Sequence, residues 1–252
     1  MLRLVLGPAG SGKTHWARQD LLKRAEAGQT GLFLLVPEQF SFETERGMLR
    51  LLGPKNAPLV EVESFTRLAQ RIFSQTGGRA GRVIDDAGRA VLMGLALEQV
   101  SHELELYGRH ADKPEFANQM LAVVRECKQA GACGEDLERL ARALPDGVLR
   151  QKTAEIGRIM AVYEALVGRD YIDSDDDLTV LARKLMDFQY LAGKTVVLDS
   201  FKGFTHQQML VLEQMLVQAD SVTVTLCCDG LNGEPFDRFA SVRRTARQLL
   251  EL

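Results

Sequence analysis

Short apolar runs bounded by turn formers alternate with stretches of helical periodicity at both ends of the chain, whereas its middle is helical throughout. LRLVL (2–6), GLFLLVPEQ, which stops at Pro37, and LVEVESF after Pro58 have the length and punctuation of strands in a buried parallel sheet. Helical stretches separate them, the first running from about Lys13 to Ala27. The pattern predicts βαβαβα over the first 78 residues.

At TGGRAGR (76–82) the character changes. From about Asp85 to Gln189 the chain carries no strand signal, only amphipathic stretches such as EFANQMLAVVRECKQA and QKTAEIGRIMAVYEALVG, punctuated at Gly131–Gly134 and Pro145–Gly147. Strand signals return at KTVVLDSF (194–201) and SVTVTLCCD (221–229), with a helix over 205–218 between them. The predicted architecture is α/β: a parallel-sheet nucleotide-binding domain from residues 1–78 and 191–252, interrupted by an all-helical insert at 79–190. ARQLLEL closes the chain in mid-helix without a capping signal, the expected end of a fragment of something longer.

Composition refines this little. The 252 residues are 46% apolar and 26% charged, ordinary for a soluble globular protein, and a net charge of −3 argues against indiscriminate coating of nucleic acid. No apolar run approaches the roughly 20 residues of a membrane span, and the start lacks the features of a secretion signal. The expected location is the cytoplasm, with no membrane partner. Cys127, Cys133, Cys227 and Cys228 have neither zinc nor disulfide spacing, and the last two read as small buried strand residues. His15, His102, His110 and His206 are scattered. The acidic run Asp173–Asp177 is read as the cap and N-terminal charge of the helix after it.

The strongest chemical signal is Gly7-Pro8-Ala9-Gly10-Ser11-Gly12-Lys13-Thr14, a full G-x4-G-K-[ST] loop placed after a strand and opening a helix. Its glycines let backbone N–H groups turn inward, and the helix N-terminus adds partial positive charge where phosphates sit. Lys13 is expected to reach the β- and γ-phosphates, and Thr14 to ligate Mg²⁺.

Hydrolysis also needs a carboxylate for the metal and a group that activates water. Asp199, ending the run TVVLDSF, supplies the first, the alternative being a cap for the 205–218 helix. The next residue, glutamate in DNA-translocating motors, is Ser200, whose hydroxyl is no base at neutral pH without an activating partner. Such a loss removes on the order of 10²- to 10⁴-fold in rate and leaves binding intact. Gln207 and Gln208 are further candidates to reach the γ-phosphate.

Several blocks resemble superfamily 1 helicases in order: the phosphate loop, LLVPEQFSFETE (34–45), VESFTRLAQRIF (62–73), YIDSDDDLTVLARKL (171–185) and LDSFKGFTHQQMLVLEQML (198–216). Within that superfamily VPEQFSFETE, SFTRLAQRIF and the FTxQQ segment are similar to the N-terminal region of the AddB family, the B subunits of bacterial ATP-dependent helicase/deoxyribonuclease complexes. The resemblance implies a RecA-like domain that binds ATP and Mg²⁺ but is not the motor. It further implies heterodimerisation with an AddA-type helicase/nuclease subunit, action on single-stranded and duplex-end DNA in break repair and recombination, and association with recognition of the Chi hotspot. The family's nuclease domain and 4Fe-4S cysteines belong to a C-terminal part outside this chain. The loop's position at residue 7 leaves no room for the upstream glutamine motif that reads adenine, and the second RecA-like domain with its arginine fingers is absent from these residues.

By the same resemblance Gln39, Phe40 and Ser41, then Ser64, Phe65, Arg67 and Gln70, are candidate contacts to single-stranded DNA, with Phe204 a further one. Phe65 is expected to stack on a base and Arg67 to pair with a phosphate or base edge. Two other readings compete. A small P-loop kinase or transferase predicts an arginine-rich lid, for which Arg79, Arg82 and Arg89 are the nearest match. An active superfamily 1 motor conflicts with Ser200.

Overall fold

The structure is a computed structural model and describes residues 1–77, 81–233 and 237–252. In chain order come β1 (Leu2–Gly7), α1 (Lys13–Glu26), β2 (Leu32–Leu35), α2 (Ser41–Asn56), β3 (Val60–Glu63) and α3 (Phe65–Thr76). Then follow β4 (Arg82–Val83), α4 (Asp86–Val100), α5 (Pro114–Gln129), α6 (Gly134–Ala143), α7 (Val148–Asp170) and β5 (Tyr171–Ile172). The chain closes with α8 (Asp177–Asp187), β6 (Thr195–Leu198), α9 (His206–Gln218), β7 (Ser221–Cys227) and α10 (Ala240–Glu251).

These elements fall into two compact units, Met1–Gly77 with Leu178–Leu252, and Gly78–Asp177. The first is a five-stranded, all-parallel sheet in the order β1-β7-β6-β2-β3, the α/β, RecA-like class expected. Strand alternation sends Val196, Leu198, Val222 and Val224 to one face, where α3, α8, α9 and α10 bury them. It sends Leu32, Leu34, Val60, Val62 and Val197 to the other, against α1 and α2. Burial on both faces is the reason the strands read as near-continuous apolar runs.

The helical stretch Leu178–Tyr190, expected at the end of the insert, instead belongs to the sheet unit. Leu181, Ala182 and Leu185 of α8 pack among Phe33, Leu35 and Val196, and amphipathicity alone does not say which core an apolar face joins. The helical unit has its own core, in which Met93, Leu97, Met120, Ile159, Met160 and Tyr163 are buried. It also contains what its sequence did not signal, the two-residue parallel pair β4–β5. Helices α6 and α7 cross closely: a Cβ on Gly134 would lie 2.7 Å from the Gly157 carbonyl oxygen and the Ala161 nitrogen. No helix among the described residues is long and apolar enough to cross a membrane.

Candidate functional site

The phosphate loop leaves β1 at Gly7 and enters α1 at Lys13. Gly10 (φ 78°) and Gly12 (φ 86°) are left-handed, a conformation that costs an L-residue roughly 1–2 kcal/mol, which accounts for glycine at both positions. A Cβ on Gly7 would meet Ser11 Oγ at 2.5 Å. Gly12 caps α1 with no side-chain hydrogen bond, so the first amides of the helix remain directed at the loop's concavity. Lys13 Nζ donates to the carbonyl oxygens of Gly7 (2.7 Å) and Pro8 (2.8 Å).

One strand, β7, separates β1 from β6, so Gly7 and the end of β6 lie about 10 Å apart by two strand spacings. Asp199 follows β6 directly and is 3% exposed. Alternation aims it at the face covered by α1, where the register that sets Leu198 beside Val224 brings it to Thr225. Thr225 Oγ1 donates to Asp199 Oδ1, and Ser200 Oγ donates to Oδ2 at 3.1 Å. Asp199 is therefore not the cap of α9, which Thr205 and Gln208 close with a reciprocal capping box.

Ser200 is the one non-glycine residue with positive φ (69°) among those described, and its hydroxyl is spent on Asp199. Gln207 is buried and donates to Thr179 Oγ1 at 3.1 Å, which ties it to α8. The donor set suits Mg²⁺ carried by a nucleotide. One hydroxyl, Thr14, and one buried carboxylate, Asp199, leave most positions to phosphate and water, and no group of three His, Cys, Asp or Glu able to hold an ion exists among the described residues.

At the carboxyl ends of β2, β3 and β6 opens a cavity of about 480 Å³. Gln39, Phe40, Ser64 and Phe65 line it, together with Thr66, Ser200, Lys202, Gly203 and Gln208. The remaining sequence candidates do not. Ser41 is buried and donates to the Glu38 carbonyl (2.8 Å), Gln70 is exposed on α3, and Phe204 is half-buried, its ring centroid 5.0 Å from that of Phe201.

Two expected roles are corrected. Phe65 is a core residue, 5% exposed and edge-on to Phe201 at 5.6 Å; Phe40, at 42% exposure, is the exposed ring of the two. Arg67 is held by Glu45 (3.0 Å) and Glu63 (3.3 Å) and is not a free phosphate ligand. Lys202, the one cation on the cavity wall among the described residues, was missed, although a lysine between Phe201 and Phe204 is the basic and aromatic mixture that marks single-strand channels.

In the helical unit the acidic run does more than cap. Asp173 accepts from the Asp175 amide, and it also lies 2.8 Å from both Arg89 and Lys128 in a buried network. This removes Arg89 from any phosphate-binding lid; Arg82 lies in β4 and Arg79 falls outside the described residues.

A family model described as "ADDB, N-terminal" matches residues 4–252. Among curated relatives, the B subunit of the ATP-dependent helicase/deoxyribonuclease of Clostridium tetani is 33% identical over 258 residues, covering 99% of this chain and 22% of the relative. The protein of the same description from Acetivibrio thermocellus is 32% identical over 255 residues (100% and 22%), and that from Clostridium acetobutylicum 34% over 253 (100% and 22%). The chain thus spans 22% of the length of these relatives.

Proposed function

The chain belongs to the AddB N-terminal family, and on that premise we propose that it is the N-terminal, helicase-like module of a helicase/deoxyribonuclease subunit acting in double-strand break repair and recombination. It binds ATP with Mg²⁺ at the phosphate loop, contacts single-stranded DNA at the neighbouring cavity, and hydrolyses ATP poorly or not at all. The observation that carries this reading is a complete phosphate loop facing an Asp199 whose following residue, Ser200, has its hydroxyl committed to that same carboxylate.

In this reading the loop amides and Lys13 would hold the phosphates, and Thr14 and Asp199 would hold the metal. When bound, Mg²⁺ would supply neutralisation of phosphate charge. Ser200 commits its one proton to Asp199 and, unlike glutamate, carries no carboxylate to take a proton from the attacking water, so nucleotide is retained and turned over poorly or not at all. Phe40 and Lys202 offer one stacking face and one cation to a strand lying over the cavity. Chi recognition and pairing with an AddA-type motor subunit complete the proposal, and both rest on family membership.

The test compares wild type with Lys13→Ala in the full-length subunit assembled with its partner. Fluorescent ATP binding with Mg²⁺ by the full-length subunit alone is expected to fall at least tenfold in the variant, while DNA-dependent ATP turnover by the complex stays within twofold. Turnover that collapses with Lys13 of this subunit would establish it as a motor and overturn the reading.

A further inference from the structure

The phosphate loop stands at the end of β1 and Asp199 at the end of β6, with β7 between them. On the nucleotide reading above, on which this inference rests, the terminal phosphate and its metal belong on the β6 side of the loop. The α-phosphate, ribose and base then leave the loop on the opposite side, past β1. There the sheet ends: among the described residues no strand pairs with β1 on its outer side.

That flank carries an aromatic shelf. Leu2, Leu4 and Leu6 of β1 pack into the core shared with α9 and α10, so alternation turns Arg3 and Val5 to the face covered by α1. Arg3 is exposed, and its guanidinium carbon lies 6.0 Å from the ring centroid of Trp16, the one tryptophan of the chain. Trp16 belongs to the first turn of α1: its amide donates to the Gly12 carbonyl at 2.8 Å, and helix rise places it about 4.5 Å beyond Lys13. Ala17 beside it is fully buried against the sheet, yet Trp16 is 37% exposed. Arg18 marks the other flank of the helix, its Nη1 lying 3.5 Å from where a Cβ on Gly47 of α2 would stand. Trp16 and Arg18, two residues apart, therefore face opposite ways, and the indole is on the β1 side. Indole is the best aromatic partner for a cation, and Arg3 over one face holds the ring in place. A ring positioned in advance takes a second flat ring with little further ordering.

We propose that Trp16, backed by Arg3, is the stacking platform for the base of the bound nucleotide. The base lies on the indole face opposite Arg3, while the loop amides and Lys13 would take the phosphates. Stacking reads the flat face of the base and not its hydrogen-bonding edge, so this contact supplies affinity and leaves discrimination between bases to other groups. A base on one aromatic side chain is worth roughly tenfold or more in affinity.

Calorimetric titration of the full-length subunit tests this with two probes in Mg²⁺: the β,γ-imido analogue of ATP, and inorganic tripolyphosphate, which keeps the phosphates and has no base. Trp16→Leu is expected to weaken the ATP analogue at least tenfold and to leave tripolyphosphate within twofold. Trp16→Phe, which restores a ring, is expected to stay within threefold of wild type on both, with circular dichroism as the folding control. In the wild type, hydroxyl-radical footprinting read by mass spectrometry is expected to show oxidation of Trp16 slowed at least threefold by the ATP analogue and unchanged by tripolyphosphate. Lys13→Ala is expected to weaken both probes, which tests the phosphate loop by itself. Four results overturn the proposal and leave the nucleotide reading standing: full affinity of Trp16→Leu for the ATP analogue, parallel weakening of both probes by that variant, no recovery with Trp16→Phe, or no protection of Trp16 by the analogue. A wild-type subunit that binds neither probe overturns both.

Discussion

Thr225 Oγ1 donates a hydrogen bond to Asp199 Oδ1 between neighbouring parallel strands, and both side chains are buried, at 2% and 3% exposure. With Ser200 on the other oxygen, the carboxylate is held in one orientation toward the α1 face. Thr225→Val keeps the shape and removes the donor. Loss of one such bond is worth on the order of 1 kcal/mol, so Mg²⁺-dependent ATP affinity is expected to fall about fivefold, with affinity measured in EDTA unchanged. Titration of fluorescent ATP with and without Mg²⁺ distinguishes a positioning role from general loss of the site, which would weaken both.

Ser200 holds a left-handed backbone without being glycine. Ser200→Ala and Ser200→Gly both delete the hydroxyl, so the difference between them isolates the backbone. Relief of the left-handed conformation is expected to make the glycine variant more stable than the alanine variant by about 1 kcal/mol. Urea unfolding reads this directly, and equal midpoints would show that the turn carries no strain.

The glycine turn between β1 and α1 and the strands of the sheet were legible because their signals are local: glycines at positions of positive φ, and apolar runs from strands buried on both faces. What was not legible depends on partners distant in the chain. Thr225 meets Asp199 through strand register, 26 residues away, and Arg89 meets Asp173 across 84. Phe65 was the expected stacking residue and Phe40 only a candidate contact, yet packing buries the first and exposes the second. Arg67 carried the right charge for a phosphate, but Glu45 and Glu63, which claim it, reach it only once α2, β3 and α3 are folded together.

The crossing of α6 and α7 depends on Gly134, where a Cβ would press on backbone atoms that cannot rotate away. Gly134→Ala is expected to destabilise the helical unit by about 1–3 kcal/mol. Gly94, in the interior of α4, meets nothing within 4 Å at the same test position. Gly94→Ala is therefore expected to stabilise by up to about 1 kcal/mol through helix propensity alone. Thermal or urea unfolding of the two variants should move in opposite directions, and a shared sign would show that the close approach is not what fixes this crossing.

Asp173 gives the helical unit a pH dependence of definite sign. Burial opposes its ionisation, but the ammonium of Lys128 and the guanidinium of Arg89, each at 2.8 Å, outweigh that and hold its carboxyl below the ordinary range. A carboxylate whose folded value is depressed stabilises fully above its unfolded value, near 3.9, and that contribution is lost as pH falls through the folded value. Asp173→Asn removes the carboxylate shared by two buried cations, leaving Lys128 with Asp176 and Arg89 with Asp86, and is expected to lower stability at pH 7 by about 2–3 kcal/mol. The gap between variant and wild type should then narrow as pH drops from about 5 toward 3, as the wild-type carboxylate itself takes up a proton. Urea unfolding at pH 7, 5 and 3.5 measures that gap; a gap constant across the series would mean that packing, and not charge, makes Asp173 necessary to this core.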